Sequence, residues 1–190
     1  MTDGDSLESV EPNVTLLLQR YAGGDQAALD QLAGLLYPQL KKMARRRVRR
    51  GQEIGATTLV QETFLKLLSG GGVKPQDRVQ FFGLAATIMR QVIVDDARHS
   101  AAQKRRGVEV EFKPEIANDS QLVDAGFLLQ VDDALTRLAE QNRQLAQVFE
   151  CRYFGGYSIQ ETADIINMSV RSTERLWSNA RKLLAIELRN

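Results

Sequence analysis

The sequence predicts an all-α protein of two small helical domains, an N-terminal helical bundle and a C-terminal helix-turn-helix domain, joined by a flexible linker. Three observations predict it. Apolar residues recur at helical spacing along most of the chain. Aromatics are 6% of the residues and there are four prolines, a balance that favours helices over a sandwich or barrel. Glycine runs at 23–24, 70–72 and 155–156 stand where periodic stretches need to end. With 190 residues, 43% of them hydrophobic, the chain can bury a core in one domain or two small ones.

Residues 1–12 are acidic and polar, carry Pro12, and read as a disordered tail. A first helix is expected over 13–22, with Val14, Leu17 and Leu18 buried. Asp25 caps the second, whose apolar positions are Ala28, Leu32, Leu35, Leu36, Leu40 and Met43. Pro38 should kink or break that helix. Its end is strongly basic, with Lys41, Lys42, Arg45, Arg46, Arg47, Arg49 and Arg50. Cations suit a helix C-terminus, but seven exceed what its dipole requires. A polyanion or an acidic protein surface is an equal reading.

The third helix, over 57–69, is apolar around more than half its circumference: Leu59, Val60, Phe64, Leu65, Leu67 and Leu68. Such a helix is central to its domain or docks on a partner. Asp77 and Gln80 open a long fourth helix running to residue 103. Its core stripe is Phe81, Leu84, Ala85, Ile88, Val92 and Ile93, and its last turns mix Arg90, Arg98, Lys104, Arg105 and Arg106 with Asp95 and Asp96. Residues 13–106 form the first domain.

Helical patterning stops over 107–125, where Pro114 and the Asn118-Asp119-Ser120 turn signal mark a linker. Val108 to Phe112 alternates briefly, so an edge hairpin is the other reading. The second domain, 126–190, resumes with Leu128, Val131, Leu135 and Leu138, then a helix over 143–154. Ser158 and Glu161 form a capping box for the next helix, whose Ala163 and Ile166 face inward. Asn167 suits the left-handed turn that leaves it. Ser169 caps the last helix, with Val170, Thr173, Leu176, Ala180 and Leu183 inward and Arg171, Ser172, Glu174, Arg175, Ser178, Arg181 and Lys182 outward. Two capped helices with a basic outer face on the second describe a helix-turn-helix that presents a recognition helix to DNA.

Composition narrows the function. The net charge is +1, so nucleic-acid contact must rely on local patches. Cys151 and His99 are single, which removes disulfides and most metal or triad chemistry; Cys151 is expected in the core. Asp95-Asp96 reads as an ion pair beside Arg98 rather than a metal site. No catalytic residue, metal site or cofactor is expected. No apolar run approaches the roughly 20 residues of a membrane span, and the N-terminus is no signal peptide, so a cytoplasmic, non-membrane protein is expected.

The order of these elements resembles the extracytoplasmic-function (ECF) group of bacterial RNA polymerase sigma factors, over roughly residues 14–188. The string Leu59-Val60-Gln61-Glu62-Thr63-Phe64-Leu65 is similar to the family helix that binds the clamp helices of the polymerase beta-prime subunit. The stretches from Phe81 to Ala86 and from Met89 to Arg98 resemble the helix that opens the minus-10 end of the promoter. The stretch from Arg152 to Leu184 resembles the minus-35-reading domain. The resemblance implies core RNA polymerase and promoter DNA as partners, with Leu59, Gln61, Glu62 and Leu65 on polymerase. Arg171, Ser172, Glu174 and Arg175 would read base edges, Arg181 and Lys182 would hold phosphates, and Ser178 would lie on the same DNA-facing surface. Arg90, Arg98, Arg105 and Arg106 would meet DNA from the fourth helix.

One departure stands out. Where the family commonly has Glu-Asp before the Leu-Val-Gln string, this chain has Thr57 and Thr58. Phosphorylation of Thr58, Thr57 or, less distinctively, Thr63 would restore the missing negative charge. A Ser/Thr kinase is then the activating partner in place of an anti-sigma factor. Threonine as a plain helix N-cap is the competing reading. Gly83 and Leu84 also replace a tryptophan common in the family, and Gln91 an asparagine. The rival function is a stand-alone helix-turn-helix regulator that dimerises or senses a signal through residues 13–106.

Overall fold

The computed structural model describes residues 11–47, 54–69, 75–104 and 125–189. Residues 1–10 of the expected tail, Arg49, Arg50, Arg105, Arg106 and nearly all of the expected linker lie outside the described residues, and Glu11 and Pro12, expected in the tail, are helical. Eight α-helices and one π-helix, with no strand among the described residues, make up the fold.

Helix α1 (Glu11–Ala22) starts two residues earlier than expected and buries Val14, Leu17 and Leu18. Asp25 opens α2 (Gln26–Arg47) as read from the sequence: its Oδ1 accepts from the amides of Ala27 and Ala28 at 3.0 and 3.3 Å. Arg20 closes on its other oxygen at 2.7 Å. Helix α2 runs on past Pro38 without a break. Proline removes one helical hydrogen bond there, and the fully buried Leu36 and Leu40 hold the turns on either side.

Helix α3 (Ala56–Ser69) begins at Gly55, whose carbonyl accepts from the Leu59 amide at 2.9 Å. Thr57 and Thr58 are therefore first-turn residues, not the cap. Asp77 caps α4 (Arg78–Lys104) by accepting from the Gln80 amide at 2.8 Å. Helix α4 is buried on more than one side. Phe81, Ala85, Ile88 and Val92 face inward as expected, but so do Phe82, Ala86, Met89, Val94 and Ala97. A helix with two apolar faces must be covered on both. Here α1 and α3 cover one, and the C-terminal half covers the other.

That half comprises α5 (Ala125–Gln141), α6 (Arg143–Phe149), a π-helix (Glu150–Phe154), α7 (Ile159–Ile165) and α8 (Val170–Glu187). The grouping of contacts is consistent with two helical subdomains, and α5, the π-helix and α7 lie against α4. The single helix expected over 143–154 is instead α6 followed by the π-helix, in which the Gly155 amide donates to Glu150 O, five residues back, at 3.0 Å. The chain then turns through Gly156, at φ 67°. A side chain there would approach Met43 O of α2 to 2.9 Å, so glycine lets the turn press against the first half.

The remaining signals are seen as read. Both capping-box bonds of Ser158 and Glu161 are present, Asn167 has φ 53°, and Ser169 Oγ accepts from the Ser172 amide. Cys151 is buried, and burial pushes its thiol up to about 12. One inward position is corrected: Leu183 is 46% exposed and Leu184 is buried instead. The inward series is Thr173, Ala180 and Leu184, with Trp177 half-buried between them, so the turn count shifts by one residue at the end of α8.

Candidate functional site

Three helical surfaces carry the residues singled out from the sequence. On α3, Gln61 and Glu62 are exposed and Leu65 is 59% exposed, so these three form an outward face. Leu59 does not join them. It is fully buried against the bundle and supports the helix from beneath, which corrects its expected place on a partner surface. Thr57 and Thr58 are exposed beside that face, and the first turn carries no acid. Thr63 is buried with its hydroxyl donating to Leu59 O at 2.6 Å, so a modifying enzyme cannot reach it in this arrangement.

On α8, Arg171, Glu174, Arg175, Ser178, Arg181 and Lys182 are all exposed. Ser172 is half-buried and its hydroxyl lies 2.9 Å from Ser169 Oγ, which ties it into the cap. Trp177 backs this surface. Its ring lies 5.5 Å from Phe149 and carries two guanidinium groups, Arg152 at 5.4 Å and Arg181 at 5.6 Å. Cation–π contact holds Arg181 against the ring while leaving its donors toward solvent. Tyr153 stacks on Phe149 at 5.0 Å, so an aromatic row supports the helix from α6 and the π-helix.

On α4 the outcome differs. Arg98 is exposed and pairs with Asp95 at 3.2 Å and Asp132 at 3.4 Å. Arg90 is turned inward, with a side chain 18% exposed. Its Nε donates to Asp132 Oδ1 at 2.7 Å. Its Nη2 donates to Asp132 O and Thr136 Oγ1 at 3.1 and 2.8 Å, and its Nη1 to Glu150 Oε1 at 3.4 Å. At the basic end of α2, Arg45 and Arg46 are exposed and Arg47 turns inward. Arg46 pairs with Glu161 at 3.3 Å, and buried Arg47 lies 4.7 Å from the Tyr153 ring and 5.6 Å from that of Phe154. These two cations serve packing between the halves, a third use beside the two weighed from sequence.

A family model described as ECF sigma factor matches residues 11–190. The chain belongs to the ECF sigma factor family. No curated protein matches the sequence. An ECF sigma factor is a non-catalytic transcription factor that directs RNA polymerase to promoters, so core polymerase and promoter DNA are the partners of this one. The stand-alone regulator is set aside on that ground. Among the described residues no helix is long and apolar enough to cross a membrane, and no three His, Cys, Asp or Glu side chains gather to hold a metal.

Sequence reasoning missed Asp132, Glu150 and Thr136, which surround Arg90 in this ECF sigma factor. A signal for Asp132 existed: it is an acid on the inward side of α5, between Leu128 and Leu135. Trp177 was passed over because it falls between the inward and outward series of α8.

Proposed function

We propose that this ECF sigma factor docks on core polymerase through the exposed Gln61, Glu62 and Leu65 face of α3, and that phosphorylation of Thr58 or Thr57 gates the docking. In this reading α7 and α8 are the helix-turn-helix that reads the minus-35 element, with Arg171, Glu174 and Arg175 on bases and Arg181 and Lys182 on phosphates. Helix α4 meets the melted minus-10 strand through Arg90 and Arg98. The observation that carries the gate is the first turn of α3. It presents two exposed threonines and no acid, directly beside the outward face. Amides at a helix N-terminus favour an anion, and a phosphate brings about −1.5 to −2 charges. A Ser/Thr kinase is then the activating partner.

The test compares unmodified protein with Thr57→Glu and Thr58→Glu for binding to core polymerase, followed by run-off transcription. The helix dipole acts in free and bound protein alike, so the gain in affinity must come from polymerase cations facing the new charge; one such exposed pair is worth about 0.2–1 kcal/mol, so a gain of up to about fivefold is expected. Equal binding by all three forms refutes the gate and leaves regulation to another device, such as an anti-sigma factor. Failure of every form to bind core polymerase refutes the docking face.

A further inference from the structure

We propose that Trp177 is a positioning residue for DNA binding: its indole ring holds the Arg181 guanidinium in place before a phosphate arrives. This rests on the reading of α8 as the duplex-reading helix with Arg181 on a phosphate. Helix geometry brings the two together. Residues four apart stand one above the other on a helix, and long side chains lean toward its N-terminus. Arg181 therefore leans back over Trp177, and its guanidinium lies 5.6 Å from the ring centroid. That carries the charge toward the turns of α8 that hold Arg171, Glu174 and Arg175. Arg181 is exposed, and among the described residues no carboxylate pairs with it. The aromatic face is what holds it, and a planar guanidinium suits that face.

The ring is itself fixed. Its centroid lies 5.5 Å from that of buried Phe149, and Tyr153 stacks on Phe149 at 5.0 Å. Arg152 lies 5.4 Å from the same indole, and its Nη1 donates to Tyr157 O. Helix α6 and the π-helix thus hold the indole while it stays half-buried. Leucine at this position would fill the apolar space beside Phe149 but would offer no π face. The consequence for binding is entropic. A free arginine side chain loses rotamer freedom when a phosphate fixes it, and that loss weakens the complex. An arginine already resting on a ring has given up part of that freedom in the unbound protein. Lys182, the next residue, is exposed and has no ring contact among the described residues. Of the two phosphate-binding cations, only Arg181 is preorganised.

The test uses the full chain and a short fluorescent DNA duplex of mixed sequence, with binding read by anisotropy. Phosphate contacts act on any sequence, so no particular promoter is needed. Trp177→Leu should weaken binding by about twofold to tenfold. Trp177→Phe keeps an aromatic face and should stay within about twofold of the unaltered chain. In an Arg181→Ala background Trp177→Leu should add nothing, whereas in a Lys182→Ala background it should keep its full effect. Trp177 is the chain's only tryptophan, so its fluorescence reports the contact without DNA. Arg181→Ala should change that emission and Lys182→Ala should not. An equal loss from Trp177→Leu with and without Arg181 overturns the proposal and leaves Trp177 a packing residue. Emission that is unchanged in Arg181→Ala overturns it as well. An Arg181→Ala variant that binds the duplex as tightly as the unaltered chain removes Arg181 from the phosphates and the proposal with it, so a failure of the α8 reading is told apart from a failure of the positioning alone.

Discussion

Replacing Arg90 by alanine removes four hydrogen bonds between the halves and leaves Asp132 and Glu150 without their shared cation. Breaking a fully buried ion pair from one side costs about 3–5 kcal/mol. Here the side chains of Arg90, Asp132 and Glu150 keep 18%, 13% and 15% exposure, so water relieves part of the loss. About 2–3 kcal/mol is expected. In a chain of this length each kcal/mol lowers Tm by about 2–4 °C, giving a fall of about 4–12 °C. Asp132→Ala should cost less, because Arg90 retains Glu150 and Thr136. The assay is a double-mutant cycle in urea, with Arg90→Ala, Asp132→Ala and the pair. Residues in direct ionic contact should show a coupling of about 1–2 kcal/mol. Single-variant costs that add to within about 0.5 kcal/mol would refute the pairing, and with it the view that Arg90 ties the halves together.

Gly156→Ala should cost about 1–3 kcal/mol, since it strains a positive φ and drives a methyl toward Met43 O; unchanged urea stability would mean the turn is not held against α2. Burial raises the Cys151 thiol to about 12 and lifts the Tyr157 phenol well above its usual range, so the folded chain keeps protons that the unfolded chain releases. Their stabilisation is whole below about pH 8.5 and declines as pH rises toward 12; the urea midpoint should fall over that window, and less steeply in Cys151→Ala. Four cations on the open α8 surface, Arg171, Arg175, Arg181 and Lys182, limit the salt dependence of duplex binding to a log–log slope of about −3.6. Arg181→Ala should shallow that slope by about 0.9, whereas Arg175→Ala should relax base preference at a cost of about 1–3 kcal/mol; the reverse pattern would exchange their roles.

The helices and their caps were legible because each depends on neighbours in sequence. Asp25, Asp77, Ser158 and Ser169 all cap where read, and Asn167 takes the left-handed turn. What depends on distant packing was not. Periodicity ranks Leu183 with the inward residues of α8, but only the approach of α5 and α6 decides that Leu184 takes the place. The string around Leu59 marks α3, yet cannot say that Leu59 is covered while Leu65 is open. The greatest difference lies in Arg46, Arg47 and Arg90. A cation on a helix reads as solvated or as nucleic-acid-binding, and these three instead meet carboxylates and aromatic rings from residues 42 to 115 positions away in the chain. The signal that could have revealed them was α4 itself, with a second apolar stripe of Phe82, Ala86, Met89 and Ile93 and hence a second covering layer.

A line of charges runs from α3 to the interface between the halves: Lys66 to Asp95 at 3.2 Å, Asp95 to Arg98 at 3.2 Å, Arg98 to Asp132 at 3.4 Å and Asp132 to Arg90 at 2.7 Å. It connects α3 to the contact between the halves, but its links are unequal. Lys66, Asp95 and Arg98 have side chains 39%, 50% and 59% exposed, and exposed pairs are worth about 0–1 kcal/mol each. A charge added at Thr58 is therefore screened before it is felt at Arg90. Only the inner links, around Arg90, are sheltered enough to hold α4 and the C-terminal half together. The proposed gate at Thr57 and Thr58 and the ion cluster around Arg90 are therefore separable by mutation: Thr58→Glu should leave urea stability within about 0.5 kcal/mol, and Arg90→Ala should not.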